Sequence, residues 1–348
     1  MNKPDSGHPL LESLFKVKLT LYIISGILIL GLCYLASSVF IPLAFALFII
    51  ALIAPTRQWL CRFLPPWLAS MVTLIISALG VILLLYMAGW GFNLIAQWAT
   101  SNAARFQKLF NLELSNLHSH GSMLLTMLTD SVNVTLLLKA VQEIALRLNI
   151  IFGLAFLTII FVALGLIELD EAPGRIQNAL GFRRGSRYVE ATKLISRKLR
   201  RYMMIRTIAS ALTGLSVWLF LIYVGLDLAA ALGALAFLLN YIPIVGSLVA
   251  TVIPSAFAFI QFESWQTGMI VFIVLNVIQV IVGCYMEPRL AGTALSLSPL
   301  MVMLAVFFWG LVWGIPGIFI GVPLLITFVT ILETASGTNE TQEIVPTR

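Results

Sequence analysis

The chain has 348 residues, 60% of them hydrophobic and 10% charged, with 21 Lys and Arg against 15 Asp and Glu for a net charge of +6. An ordinary soluble domain carries roughly a quarter charged residues, so this composition excludes a water-soluble globule. The apolar residues arrive in continuous runs, not in the alternation a membrane barrel needs. The runs at 19–39, 67–95, 150–169 and 267–286 each reach the ~20 residues with which a helix crosses about 30 Å of hydrocarbon. The expected fold is all-α and polytopic, with about eight hydrophobic segments.

Residues 1–18 read as a cytoplasmic tail. Asp5 and Glu12 and the length of the next run argue against a cleaved signal, so 19–39 reads as a retained signal anchor and 19–96 as the first membrane spans. Lys and Arg in short loops mark the cytoplasmic side. Lys3, Lys16 and Lys18, the Arg57 and Arg62 turn, and the 175–206 stretch with ten of the 21 basic residues all fall on that side. A turn near 37–42 and the whole of 97–149 are then outside. In 97–149, Phe106, Leu109, Phe110 and Leu114 have helical spacing and predict a small amphipathic subdomain. His118 and His120 read as solvated residues before Gly121, not a metal pair, because no third ligand accompanies them. Cys33, Cys61 and Cys284 stand far apart, so free thiols are expected.

A span at 150–169 ends in Glu168, Asp170 and Glu171. Acidic groups oppose the dipole at a helix C-terminus, so ion pairs with nearby arginines are expected. The following 170–206 segment carries Val189, Ile195, Leu199 and Met203 at near-helical spacing among Lys and Arg. That pattern predicts a basic amphipathic helix in the headgroup layer, with anionic headgroups as partners of 183–206 and no need of nucleic acid.

The 207–333 region is the C-terminal transmembrane part, and 334–348 a cytoplasmic tail. Segments 228–260 and 299–332 are too long for one upright span and barely enough for two, which predicts broken helices, re-entrant or fully spanning. Pro243, Gly246 and Pro254 interrupt the first; Gly314, Pro316, Gly317, Gly321 and Pro323 interrupt the second. Paired interruptions point to a transport site. The embedded polar residues add Asn240, then Asn276 and Gln279 on one helix face, as helix-to-helix bonds or as solute contacts. Glu287 and Arg289 flank Pro288 as an ion pair at a span's exit, or as a gate. No Walker, HExxH, dinucleotide or catalytic-triad motif occurs, so no enzyme, cofactor or metal is expected, and transport would be passive or ion-coupled.

Three blocks carry a family resemblance: 238–243 with Gly246 and Pro254, then Glu287 to Leu290 with Gly292 and 295–300, then 314–317 through 321–324. Together they resemble the autoinducer-2 exporter family. The resemblance implies a bacterial cytoplasmic-membrane permease with both termini inside, acting as a homo-oligomer. Relatives are associated with export of a quorum-sensing furanone or with sodium/proton antiport. This chain departs from the family pattern at Ile244 and Thr293, where a polar and a basic residue are frequent. The expected function is a secondary transporter or exporter of a small polar solute; the alternatives are an antiporter and a non-transporting scaffold.

Overall fold

The computed structural model describes residues 9–102, 105, 108, 134–291 and 297–335. Most of the predicted 97–149 subdomain lies outside the described residues, including Phe106, Leu109, Phe110, Leu114, His118 and His120, and so do Gly292 and Thr293. Among the described residues every regular element is a helix. In order they are α1 (Pro9–Leu35), α2 (Ser37–Leu60), α3 (Pro66–Ser101), α4 (Val134–Glu168), α5 (Ala172–Leu180), α6 (Phe182–Val224), α7 (Ala229–Leu239), α8 (Val245–Phe262) and α9 (Trp265–Val280). A π-helical turn (Ile281–Met286) carries α9 into α10 (Glu287–Ala291), and α11 (Pro299–Trp313) and α12 (Ile315–Ala335) close the series. Seven helices are long and apolar enough to cross a membrane, and Thr20–Leu35, Ala229–Leu239 and Pro299–Trp313 are shorter apolar helices. The protein is therefore an all-α, multi-pass membrane protein, with its large apolar side chains exposed toward lipid along most helices.

Two expectations need correction. The turn placed near 37–42 is a single residue, Ala36, whose carbonyl accepts from the N–H groups of Val39 and Phe40, so α2 starts at once. Pro42 is buried inside α2, where its missing N–H costs one bond near the helix start. The basic stretch is also not bounded at 206. It is the first half of α6, one continuous helix of 43 residues, about 64 Å long. Nothing from Arg187 to Val224 breaks it: there is no proline and one glycine, Gly214.

The two long segments fold as hairpins of opposite direction. In the first, α7 has 11 residues and rises only about 16 Å, too short to cross alone. Its mouth is closed where the Asp227 N–H donates to Gln261 Oε1 and Gln261 Nε2 donates to the Gly225 carbonyl. Its tip, 240–244, points toward the basic end. In the second, α11 and α12 open at the basic end, where Lys198 Nζ donates to Glu333 Oε2 at 2.8 Å. The tip at Gly314 lies beside the start of α2, in a cluster of Ile41, Trp313 and Ile320. Gly314 has φ 65° and ψ −140°, a conformation strained for a residue with a Cβ.

Packing follows the small-residue logic of membrane helices. Gly214 of α6 and Gly233 of α7 meet so closely that a Cβ on either would press the other's carbonyl. The main core runs along this contact through Val217, Leu221, Leu232, Ala236, Ala258, Val271 and Leu275. Helix α1 is apolar from Thr20 to Leu35 and meets the body at α2 and α11.

At the basic end, Arg57 of α2 is 3% exposed and joins three elements. Its NH1 and NH2 donate to Asp170 Oδ1 and Oδ2 at 2.7 and 2.6 Å, and its Nε donates to Ser70 Oγ at 2.7 Å. The acidic cluster after α4 thus finds arginines as expected, with Arg175 pairing Glu171 at 2.7 Å and Glu168 at 3.7 Å. The hydrogen bond from Arg57 holds the Asp170 carboxyl below the usual carboxylate range, with coulombic attraction acting the same way against burial. A carboxyl depressed on folding stabilises the fold above its unfolded pKa, and that contribution disappears as pH falls through the lower folded value. Asp170→Asn should therefore lower the thermal midpoint at pH 7 relative to wild type. The gap should begin to shrink near about pH 4 and close below it, in scans of purified protein at both pH values.

Candidate functional site

Helix α6 presents Arg206, Ser210 and Thr213 at i, i+4 and i+7, a polar stripe along one face of an apolar run. The tip of the first hairpin lies on this stripe. Asn240, 7% exposed, donates through Nδ2 to Ser210 Oγ at 3.3 Å, and Tyr241 OH donates to Thr207 Oγ1 at 3.0 Å. One turn closer to the basic end, Arg206 NH1 donates to Glu287 Oε1 at 2.7 Å, with side chains 14% and 21% exposed. Tyr202 stands beneath, its ring 5.8 Å from the Arg206 guanidinium carbon. An ion pair so enclosed is held by mutual neutralisation, because either charge alone would be costly at this depth.

The hairpin tip is strained. The Val245 N–H donates to the Pro243 carbonyl at 2.7 Å, closing a three-residue turn centred on Ile244 at φ 65°, ψ −60°. A β-branched residue there is an outlier worth about 1–3 kcal/mol, sustained by the packing around it. Gly246 follows with its Cα against the Leu239 carbonyl. On the other side of the stripe, α9 widens into the π turn immediately before Glu287. Such turns concentrate at functional sites because they displace the helix face by a residue.

Two buried polar atoms in this region, Thr213 Oγ1 and Gln279 Nε2, make no hydrogen bond within the described chain. Helices α6 and α9 run antiparallel, joined by the Arg206–Glu287 pair. Thr213 lies two turns beyond Arg206 and Gln279 two turns before Glu287, which sets both at about one level. The result is a polar seam between α6, the 240–244 tip and α9. It is gated toward the basic end by an ion pair and carries unspent hydrogen-bonding capacity behind it.

The structure ties Asn240 to α6 through Ser210 and Glu287 to α6 through Arg206, with Pro243 and Gly246 in and beside the same hairpin tip as Asn240. Asn276 donates to its own helix at the Phe272 carbonyl, 2.8 Å away. Pro254 is buried within α8. Glu287 pairs with Arg206 and not across Pro288 with Arg289, whose guanidinium carbon instead lies 4.0 Å from the centroid of the Tyr285 ring. Pro316, Gly317, Gly321 and Pro323 belong to the second hairpin. There Gly317 and Gly321 seat against the Trp309 and Ala305 carbonyls, and the hairpin packs on α2 and on α6 around Leu199. The two interruptions therefore serve separate places joined by α6. The sequence reading missed Arg206, Ser210 and Thr213, because Arg206 was counted with the basic stretch; their helical spacing was the available signal. Among the described residues no three His, Cys, Asp or Glu gather to hold a metal, and the three cysteines are free thiols.

A profile for "AI-2E family transporter" matches residues 23–337. The chain belongs to the AI-2E transporter family. It is 30% identical over 330 residues to the AI-2 transport protein TqsA of Escherichia coli K12, covering 92% of this chain and 93% of that one. The putative transport protein YhhT of the same strain is 25% identical over 343 residues, covering 97% and 95%. A putative transport protein of Borreliella burgdorferi is 32% identical over 152 residues, covering 43% and 42%. As an AI-2E family member the chain is a membrane transporter.

Two sets of substitutions probe this geometry. Arg206→Gln or Glu287→Gln, each leaving a charge unpaired, should cost about 3–5 kcal/mol of stability, while the double variant Arg206→Met with Glu287→Leu should cost far less, as measured by thermal unfolding in detergent. Gly246→Ala should destabilise by roughly 1–3 kcal/mol, because its Cβ meets a backbone carbonyl that cannot yield. Gly283→Ala, with nothing within 4 Å of the added carbon, should unfold at the wild-type temperature or slightly above it.

Proposed function

We propose that this AI-2E family transporter moves a small, polar, hydroxyl-bearing solute of the autoinducer-2 class along the seam between α6, the 240–244 tip and α9. The supporting observation is the enclosed Arg206–Glu287 pair, with Thr213 and Gln279 unbonded two turns behind it. Hydroxyl and amide groups suit a furanone carrying several hydroxyls, and a paired guanidinium and carboxylate can open to exchange one partner for such a ligand. The similarity to the AI-2 transport protein TqsA favours the same class. Because Glu287 is already neutralised by Arg206, the seam suits a neutral solute better than a coupled proton.

In this reading the basic end faces the cytoplasm of a bacterial inner membrane, following the excess of Lys and Arg there. Lys193, Arg197 and Arg201 on the first half of α6 then meet anionic headgroups, and both termini lie inside. The opposed breaks at Ile244 and the π turn are the points where the seam opens, since each is a backbone irregularity beside the ion pair.

The test is flux into proteoliposomes of purified protein. Autoinducer-2 should equilibrate faster than in empty vesicles, and Asn240→Ala or Gln279→Leu should reduce the rate by roughly tenfold or more, the effect of losing one well-placed hydrogen bond of about 1.4 kcal/mol. Wild-type flux no faster than in empty liposomes, or unaltered rates in both folded variants, would overturn the proposal. Proton flux driven by a sodium gradient and lost in Glu287→Gln would replace it with antiport.

A further inference from the structure

Away from the seam, α3 and α4 leave between them a groove of about 450 Å³ at the basic end. Its floor is apolar, made by Met71, Leu74, Ala163, Leu166 and Ile167, and its mouth is polar, made by Arg57, Ser70 and Asp170. Trp67 stands on the rim, 67% exposed, where aromatic side chains sit at the boundary between headgroups and hydrocarbon. An apolar channel running along two membrane spans and ending in fixed charge has the shape of a lipid: chain below, headgroup above.

The charges at the mouth choose among headgroups. The Arg57 guanidinium is enclosed, with its fork spent on Asp170 and its Nε on Ser70. Arg57 is thus already neutralised and offers little to an anionic headgroup. Asp170 is different. Its two oxygens each accept one N–H from Arg57 and keep further lone pairs, and its side chain is 60% exposed. Glu168 and Glu171 both pair with Arg175 beside it, so among the described side chains these ion pairs hold three carboxylates on two guanidiniums. A primary ammonium, with three donors and a positive charge, satisfies these groups. A quaternary choline cannot donate to them, and an anionic glycerol headgroup is repelled.

We infer that the groove between α3 and α4 is a binding site for a phosphatidylethanolamine molecule, its ammonium on Asp170 and one acyl chain along Met71, Leu74 and Ala163. The lipid covers the clamp that joins α2, α3 and the α4–α5 corner, so its binding stabilises the basic end. Arg62, exposed on the turn that precedes Pro66 and Trp67, is the nearest cation in sequence for the lipid's phosphate. The selectivity is the reverse of that expected for the first half of α6, where the exposed Lys193 and Arg197 favour anionic lipid.

Native mass spectrometry of the purified full chain, given equimolar phosphatidylethanolamine, phosphatidylcholine and phosphatidylglycerol of identical acyl chains, tests the site. The first lipid adduct of the wild type should favour phosphatidylethanolamine by roughly two- to fivefold, the range that one exposed ion pair supplies. Asp170→Asn should bring the ethanolamine and choline lipids level. Ala163→Phe, which fills the floor and leaves Asp170 in place, should weaken the same adduct and so tests the groove even where Asp170→Asn lowers the yield of folded protein. Equal retention of the three lipids by the wild type, a preference for phosphatidylglycerol, or an ethanolamine preference that survives Ala163→Phe would overturn the assignment.

Discussion

In hydrocarbon a backbone N–H or C=O has no water to turn to, so a membrane helix can break only where its freed groups find partners in the protein. That constraint governs the two hairpins. At the first tip, the N–H groups of Asn240, Tyr241, Ile242, Val245 and Gly246 donate in turn to the carbonyls of Ala236, Leu238, Leu239, Pro243 and Ile242. Pro243 has no N–H to satisfy, which is why a proline is at home there. The strain at Ile244 is the geometric cost of closing the turn so tightly, and it is tolerated because the alternative is unbonded backbone at depth.

Once the tip is closed in this way, its position decides the site. A tip that bonds its own backbone leaves side chains, not main chain, to make contacts outward, and Asn240 and Tyr241 extend to Ser210 and Thr207 on α6. That anchoring brings the hairpin to within a turn of Arg206. A guanidinium buried this far needs a carboxylate, and α10 supplies Glu287 at the point where the π turn re-aims the helix face. The polar seam follows from one requirement passed along three elements.

Fold class was legible because it depends on run length and composition, which survive any arrangement of the helices. The breaks at Pro243 and Gly314 were legible for the same reason: proline and glycine act locally. What could not be read was which partner each charge would choose. Glu287 and Arg289 are near neighbours in sequence, but they lie two apart in the short helix α10, where their directions diverge, and the carboxylate turned to a residue 81 positions away. Arg57 and Asp170 likewise join over 113 positions. The basic stretch misled for a different reason. An amphipathic pattern describes two faces of a helix but not its tilt, and with no breaker before Val224 the same helix continues into the membrane, carrying Arg206 with it.

Helix α6 is accordingly the element through which the two hairpins can influence each other. Its Lys198 holds the end of α12 through Glu333, and its Arg206, two turns on, holds α10 through Glu287. Its Gly214 seats α7, and its Leu199 packs with Val306, Val322 and Ile326 of the second hairpin. A helix of 43 residues without proline transmits rotation and sliding with little bending. Opening the Arg206–Glu287 pair by turning α6 would therefore also load the Lys198–Glu333 contact, on the same rod and only about 12 Å away along it.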